Sequence, residues 1–189
     1  MILSVEGSHR VDRRGVEELG IPEILLMENA SLSVVAAMEE RFGSLEGKAV
    51  MVLCGPGNNG GDGFALARHL LLRRARVETF LVSSGSPPKG AAKKNLEILK
   101  SLKSPRLLKR EGDLNKAPFI EALKEAELVV DALFGTGFRG TLRGIFFSLA
   151  EILNRSGLPV IAVDIPSGLS GDDVGLADDI KQGGLAVVN

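Results

Sequence analysis

Lys48–Val82 reads KAVMVLC, then GPGNNGGDG, then FALARHLLLRR, then ARVETFLV. A short, continuous apolar run runs straight into a glycine-rich turn. A helix from about Asp62 to Arg73 follows, and Arg76–Val82 is a second strand. Strand, glycine turn, helix and strand in about thirty-five residues make one βαβ unit. Upstream, Asp12–Leu19 and Glu28–Phe42 read as two helices joined through Gly20 and Pro22. The second places Ala30, Val34, Ala37, Met38 and Arg41 at helical spacing, Arg41 being the polar member. Downstream, Lys89–Leu102 is a basic helix and Phe119–Glu125 a shorter one. Glu127–Asp131 (ELVVD) is a strand, Gly144–Asn154 a helix, Pro159–Asp164 (PVIAVD) a strand, and Leu185–Val188 the start of one more.

Strands of Val, Ala and Leu with little alternation are built for burial on both faces. Strands separated by helices imply parallel pairing through right-handed crossovers. The expected fold is a three-layer α/β sandwich around a mainly parallel, doubly wound sheet, with an N-terminal helical extension. Residues 48–54, 127–131 and 159–164 should be adjacent strands whose C-terminal ends share one edge.

At 189 residues, one domain over 1–189 is expected. Hydrophobic residues are 44% and charged residues 25%, as in a soluble globular chain. Lys and Arg total 23 against 24 Asp and Glu, so there is no basic field for nucleic acid. Trp and Tyr are absent, which leaves few base-stacking platforms. One cysteine makes neither an internal disulfide nor a multi-cysteine zinc site. No apolar run is long enough to span a membrane and the start is not a signal peptide, so no membrane contact and a cytoplasmic location are expected.

Ligands of open α/β sheets bind beyond the carboxyl ends of the strands. Three such ends are unusual here: Gly55–Gly63, Asp131–Gly140 and Asp164–Leu169. The first contains G-x-G-x-x-G at Gly55, Gly57 and Gly60. Glycines let the backbone approach a phosphate, and a helix amino end offers free N–H groups. The carboxylate that would bind an NAD ribose is absent, because the second strand ends at Val82-Ser83-Ser84. No Lys-Ser or Lys-Thr follows the glycines, which excludes a P-loop NTPase. Paired Asn and repeated Gly exceed the needs of a tight turn. Asp131 or Asp164 alone could be a cap or a solvated carboxylate; two of them beside a phosphate-type loop point to a site. Cys54 reads as core, His69 as surface or packing, and His9 has no visible partner. The Phe residues read as core or lid packing. Lys89–Lys103 reads as a solvated face, with an acidic partner as the alternative.

LMENA at Leu26–Ala30, GPGNNGGDG at Gly55–Gly63, DALFGTGFRG at Asp131–Gly140 and VDIPSGL at Val163–Leu169 stand in order along the chain. Together they resemble the NAD(P)HX epimerase family, the YjeF N-terminal domain, from about residue 10 onward. The resemblance implies a Rossmann-like domain that interconverts the R and S epimers of NADHX or NADPHX. These are reduced nicotinamide nucleotides hydrated at C6, and a companion dehydratase repairs the S form. It implies that Asn58, Asn59, Gly60, Gly61 and Asp62 line the nucleotide. Gly135, Thr136, Gly137, Phe138, Arg139, Gly140 and Thr141 would form a second substrate loop, and Asp164 would face the reacting end. It places a potassium ion at Asn59, Asp131 and Ser167; amide, carboxylate and hydroxyl are hard oxygen donors that suit such a cation. A homodimer is common for such domains. Family members run on past the PSGL loop through further strands, whereas Ile180–Asn189 enters one and stops. An early C-terminal end, or a piece of a longer chain carrying the dehydratase, is therefore expected.

Epimerisation is redox-neutral, which accounts for a nucleotide loop without a dehydrogenase carboxylate. C6 is a carbinolamine carbon, so the hydroxyl can leave to an iminium that is rehydrated on the other face, or the ring can open and reclose. Asp164 is the expected proton-transfer group and Asp62 the reserve. Two other readings compete. A non-catalytic nucleotide- or RNA-associated binding or dimerisation module would tend to lose the GNNGGDG and DIPSG chemistry, which is kept here. A methyltransferase would need an acidic residue where Ser83-Ser84 stands.

Overall fold

The computed structural model describes residues 5–83, 85–169 and 186–188. Two helices, α1 (Val5–Glu17) and α2 (Glu23–Phe42), precede β1 (Ala49–Cys54), α3 (Asn58–Leu72), β2 (Arg76–Val82), α4 (Gly90–Leu102) and β3 (Arg106–Leu108). A 3-10 turn (Glu111–Asn115), α5 (Ala117–Glu125), β4 (Leu128–Ala132), α6 (Ile145–Ser156), β5 (Val160–Val163) and β6 (Ala186–Val188) follow. The sheet has six strands in the order β3-β2-β1-β4-β5-β6, and every pairing is parallel.

β1, β4 and β5 are buried at every position because helices cover both faces. Val50, Val52, Val130, Ala132 and Ile161 face a core closed by α2, α3 and α4. Met51, Leu53, Phe80, Val129 and Val160 face a second core closed by α5 and α6. Phe80 and Phe119 meet edge-on there, with centroids 5.6 Å apart. The expected sandwich is thus present, with β1, β4 and β5 adjacent and level at their C-terminal ends: Cys54 lies beside Ala132, and Asp131 beside Ala162. The strand order reverses between β1 and β4, which is where such sheets open a crevice.

Five details differ from the expectations. α1 begins at Val5, seven residues before the expected Asp12, and ends at Glu17 rather than Leu19. α2 begins five residues earlier, directly after Pro22, whose fixed φ suits a helix start. Its buried stripe is Met27, Ser31, Val34, Val35 and Met38; Ala30 and Arg41 are exposed, because tertiary packing turns the helix to seat Met27 and Ser31 on α3. α3 begins at Asn58 rather than Asp62, so the "loop" residues 58–61 are its first turn. β3 and the 3-10 turn are additional elements, too short for periodicity to reveal. Ser84 and Ile180–Leu185, with Asn189, lie outside the described residues, as does the side chain of His9.

Candidate functional site

The glycines of GPGNNGGDG are there for space. A side chain on Gly55 would overlap the Leu133 carbonyl, and one on Gly60 would overlap the Gly55 carbonyl. At Gly61 a methyl would lie 2.8 Å from Ala92 Cβ, and at Gly63 2.6 Å from Ala132 Cβ. The amino end of α3 is thereby driven down onto β1 and β4. Gly57 caps it without a side-chain bond and its first turn carries no acid, so its free N–H groups face the crevice edge. Backbone meets backbone at Gly60, and no flexible group can yield. Gly60→Ala should cost about 3 kcal/mol, read as a lower denaturant midpoint.

LMENA lies inside α2 and braces this turn. Met27 Sδ sits against Gly61, and Ser31 Oγ lies 2.9 Å from the Asp62 carbonyl. Glu28 pairs with Arg68 and lies 2.7 Å from His69 Nε2, locking α2 to the C-terminal part of α3. Arg68 holds the Glu28 carboxyl below its usual range. His69 is therefore a buried packing residue.

Asp131, the penultimate residue of β4, is buried, and its carboxylate accepts three hydrogen bonds. Oδ1 accepts from Ser167 Oγ at 2.6 Å and from the Leu133 N–H at 3.1 Å, and Oδ2 accepts from the Ser167 N–H at 2.9 Å. Ser167 Oγ also accepts from the Phe134 N–H at 2.9 Å. This network ties the β4 loop to the β5 loop. Burial pushes the Asp131 carboxyl up against the pull of those bonds, and among the described residues no cation pairs with it.

Asp164 follows β5 with φ 70°, a left-handed conformation uncommon for a residue with a side chain. Its Oδ2 accepts from the Thr136 N–H at 2.6 Å and from Thr136 Oγ1 at 2.9 Å. A side chain on Gly135 would overlap that carboxylate and would lie 3.3 Å from Asn59 Oδ1. Asn59, Gly135, Thr136 and Asp164 therefore converge from α3, the β4 loop and the β5 loop. Both polar atoms of the Asn59 side chain are buried without a hydrogen-bond partner. An oxygen left unsatisfied close to the Asp164 carboxylate fits a bound cation.

Asp62 stands in the same crevice. Its carboxyl is pushed up to about 7, first by burial and then by the charges of Asp164, Asp12 of α1 and Glu23 of α2. An unfolded aspartate titrates near 4 (~3.9), so the folded chain binds the extra proton between about pH 4 and 7. Stability from this group therefore falls as pH rises through that window. Asp62→Asn should raise the urea midpoint at pH 8 by an amount worth on the order of 2–4 kcal/mol, a gain that shrinks towards pH 4. An equal gain at both pH values, or none at pH 8, would show that Asp62 carries no such strain.

The remaining expected residues are less focused. The Asn58 amide is engaged by Glu23 at 2.8 Å. Phe138 stacks on Phe134 at 4.6 Å, and its N–H closes a turn onto the Gly135 carbonyl. Arg139 donates to the Thr136 and Phe138 carbonyls. Gly137, Gly140 and Thr141 lie exposed on the same loop. Asp12 and Glu23 bear on the site, and no sequence signal marked them; they lie about forty to fifty positions from Asp62 and arrive only by helix packing.

A family model described as YjeF-related protein N-terminus matches residues 23–182. A "bifunctional NAD(P)H-hydrate repair enzyme Nnr" of Moorella thermoacetica is 43% identical over 86% of this chain and 31% of its own length. Proteins of the same description from Salinibacter ruber and Thermofilum pendens are 36% and 41% identical, over 90% and 86% of this chain. The chain spans about a third of the length of these relatives. The crystal structure of yeast ynu0 superposes with a TM-score of 0.74 at 29% identity, covering 88% of this chain and 71% of that one. A shikimate 5-dehydrogenase from Listeria monocytogenes, at 19% identity and a TM-score of 0.52, shares the fold. The four motifs, the doubly wound sheet and the residue 23–182 match agree: this chain belongs to the family of YjeF-related protein N-termini.

Proposed function

We propose that the chain is an NAD(P)H-hydrate epimerase that interconverts the R and S forms of NADHX and NADPHX at C6, within one domain over 1–189. The observation that carries this is the convergence of two unlike carboxylates, Asp62 and Asp164, beside the free amino end of α3. Relatives named as NAD(P)H-hydrate repair enzymes support the substrate class. The α3 amides suit the pyrophosphate. A binding-only module would have no use for a strained, hydrogen-bonded Asp164 or a proton-holding Asp62.

A carboxyl held protonated near neutral pH can act as an acid beside a second carboxylate that accepts a proton. With its titration raised to about 7, Asp62 keeps a large protonated fraction near neutral pH, and in that form it can protonate the departing C6 hydroxyl as water. Asp164, held by Thr136, then takes the proton of the water that adds to the other face. A ring-opened aldehyde would use the same two transfers. One proton is given and one taken, and no electron acceptor is required.

Potassium is the cofactor we propose for Asn59, Asp131 and Ser167. The buried, unpaired carboxylate and the orphaned Asn59 amide both fit it. When bound, it supplies a fixed positive charge for an oxygen in the crevice. We further propose a dehydratase as the enzyme that consumes the S form, fused or separate, and a homodimer formed through exposed Val11 of α1, Leu25 of α2 and Leu19 in the turn between them. Among the described residues no helix is long and apolar enough to cross a membrane. The buried, unpaired Cys54 suits the cytoplasm. The test is epimer exchange, followed by chromatography in potassium, in sodium and without added salt. Exchange at the spontaneous rate in all three would overturn the reading.

A further inference from the structure

A second opening lies on the same sheet edge, on the α5/α6 side. It is a cleft of about 530 Å³ between the segment after β3 and the start of α6. Its walls carry Lys109, Arg110 and Arg143 against one carboxylate, Glu111. The whole chain has a net charge of -1, so this concentration of positive charge is local. Arg110 is loosely held by Asp113 at 4.0 Å, whereas Lys109 and Arg143 have no side-chain ion pair among the described residues. Gly144 caps the twelve-residue α6 without a side-chain bond, and the Glu111 carboxylate stands near it, where a side chain on Gly144 would lie 4.0 Å from Glu111 Oε1.

The cleft adjoins the carboxylates. Phe146 on its wall packs on Phe134 at 4.7 Å, and the Phe134 N–H donates to Ser167 Oγ. The next residue, Gly135, lies against Asp164. On the other side, Leu108 lies beside Val82, so the cleft opens at the end of the β2–β3 pair. In doubly wound folds the adenosine half of a dinucleotide lies towards those strands; a carboxylate there selects a free ribose hydroxyl, and a cation accommodates a phosphate. Here β2 runs into Ser83, which is buried and turned onto the Ser86 carbonyl. The neighbouring strand end supplies Lys109 and Arg110 instead.

We propose that this cleft is a phosphate-monoester site, holding the ribose phosphate that distinguishes phosphorylated from unphosphorylated dinucleotides, so that NADPHX is the preferred substrate. This rests on the epimerase reading for the reacting end. The pyrophosphate stays with α3.

The probes are NADP and NAD, titrated into the wild-type protein and into a Lys109→Ala/Arg143→Ala double variant. Both side chains are exposed, so the variant should fold with an unchanged melting temperature. NADP should bind wild type at least about tenfold tighter than NAD, and the gap should narrow with salt. The double variant should lose that gap while its NAD affinity stays the same. In exchange assays its kcat/KM should fall about tenfold for NADPHX and not for NADHX. Equal affinity for both probes in wild type would overturn the proposal. So would a parallel loss of both in the variant, since that would make the cleft a pyrophosphate or non-selective site. If neither epimer is exchanged but the NADP gap appears and closes as described, the cleft stands and the epimerase reading falls.

Discussion

Asp164→Asn is expected to slow epimer exchange by about 10²–10⁴-fold while NADP still binds. Asparagine is the substitution that isolates the proton. Asp164 sits at φ 70°, a region that asparagine enters more readily than most residues, so the backbone need not move. The amide oxygen can still accept from the Thr136 N–H and hydroxyl, keeping the two loops tied. What is lost is the ability to take and return a proton. Spontaneous exchange sets a background, and assays above neutral pH keep it low. Lost exchange with retained binding supports the base. Lost binding makes Asp164 a substrate anchor, and no change in either leaves Asp62 to do both transfers.

Asp131→Ala should have the broadest effect, removing potassium dependence and destabilising the fold together. The Leu133 and Ser167 N–H groups lose their acceptor, and Ser167 Oγ loses the partner that orients it. Two amides left unpaired cost about 2–4 kcal/mol, discounted because Ser167 is only partly buried. Against this, a buried carboxylate without a counter-charge is itself strained. A bound cation relieves that strain, so potassium should raise the melting temperature of wild type more than sodium does, and should leave that of Asp131→Ala unchanged. Equal shifts for both ions, or a potassium effect that survives the substitution, would remove the ion from this site.

Most of the architecture was legible in the chain because it rests on short-range chemistry. AVMVLC, LVV and VIAV are short apolar runs bounded by turn residues, which suit strands buried on both faces. The helices between them force parallel pairing, and parallel pairing puts Asn59, Asp131, Asp164 and Ser167 on one edge. The start of α3 was missed by four residues. Asn and repeated Gly have poor helix propensity, and the contacts that hold them in a helical turn come from Met27, Ala92 and Ala132, distant in sequence. The rotation of α2 was missed for a like reason, since its buried face is chosen by Gly61 and the Asp62 carbonyl.

The sequence by itself determined the fold class, the family and the residue types available at the strand ends, since these depend on pattern and motif. Only the tertiary structure decided their states. It buried Asp131 under three hydrogen bonds, left Asn59 without a partner, and raised the Asp62 carboxyl to about 7, first by burial and then through Asp164, Asp12 and Glu23. It also set Lys109 and Arg110 opposite Arg143 across a cleft. Desolvation and Coulomb forces act through space, and the distances that set them appear only when elements remote in the chain are packed together.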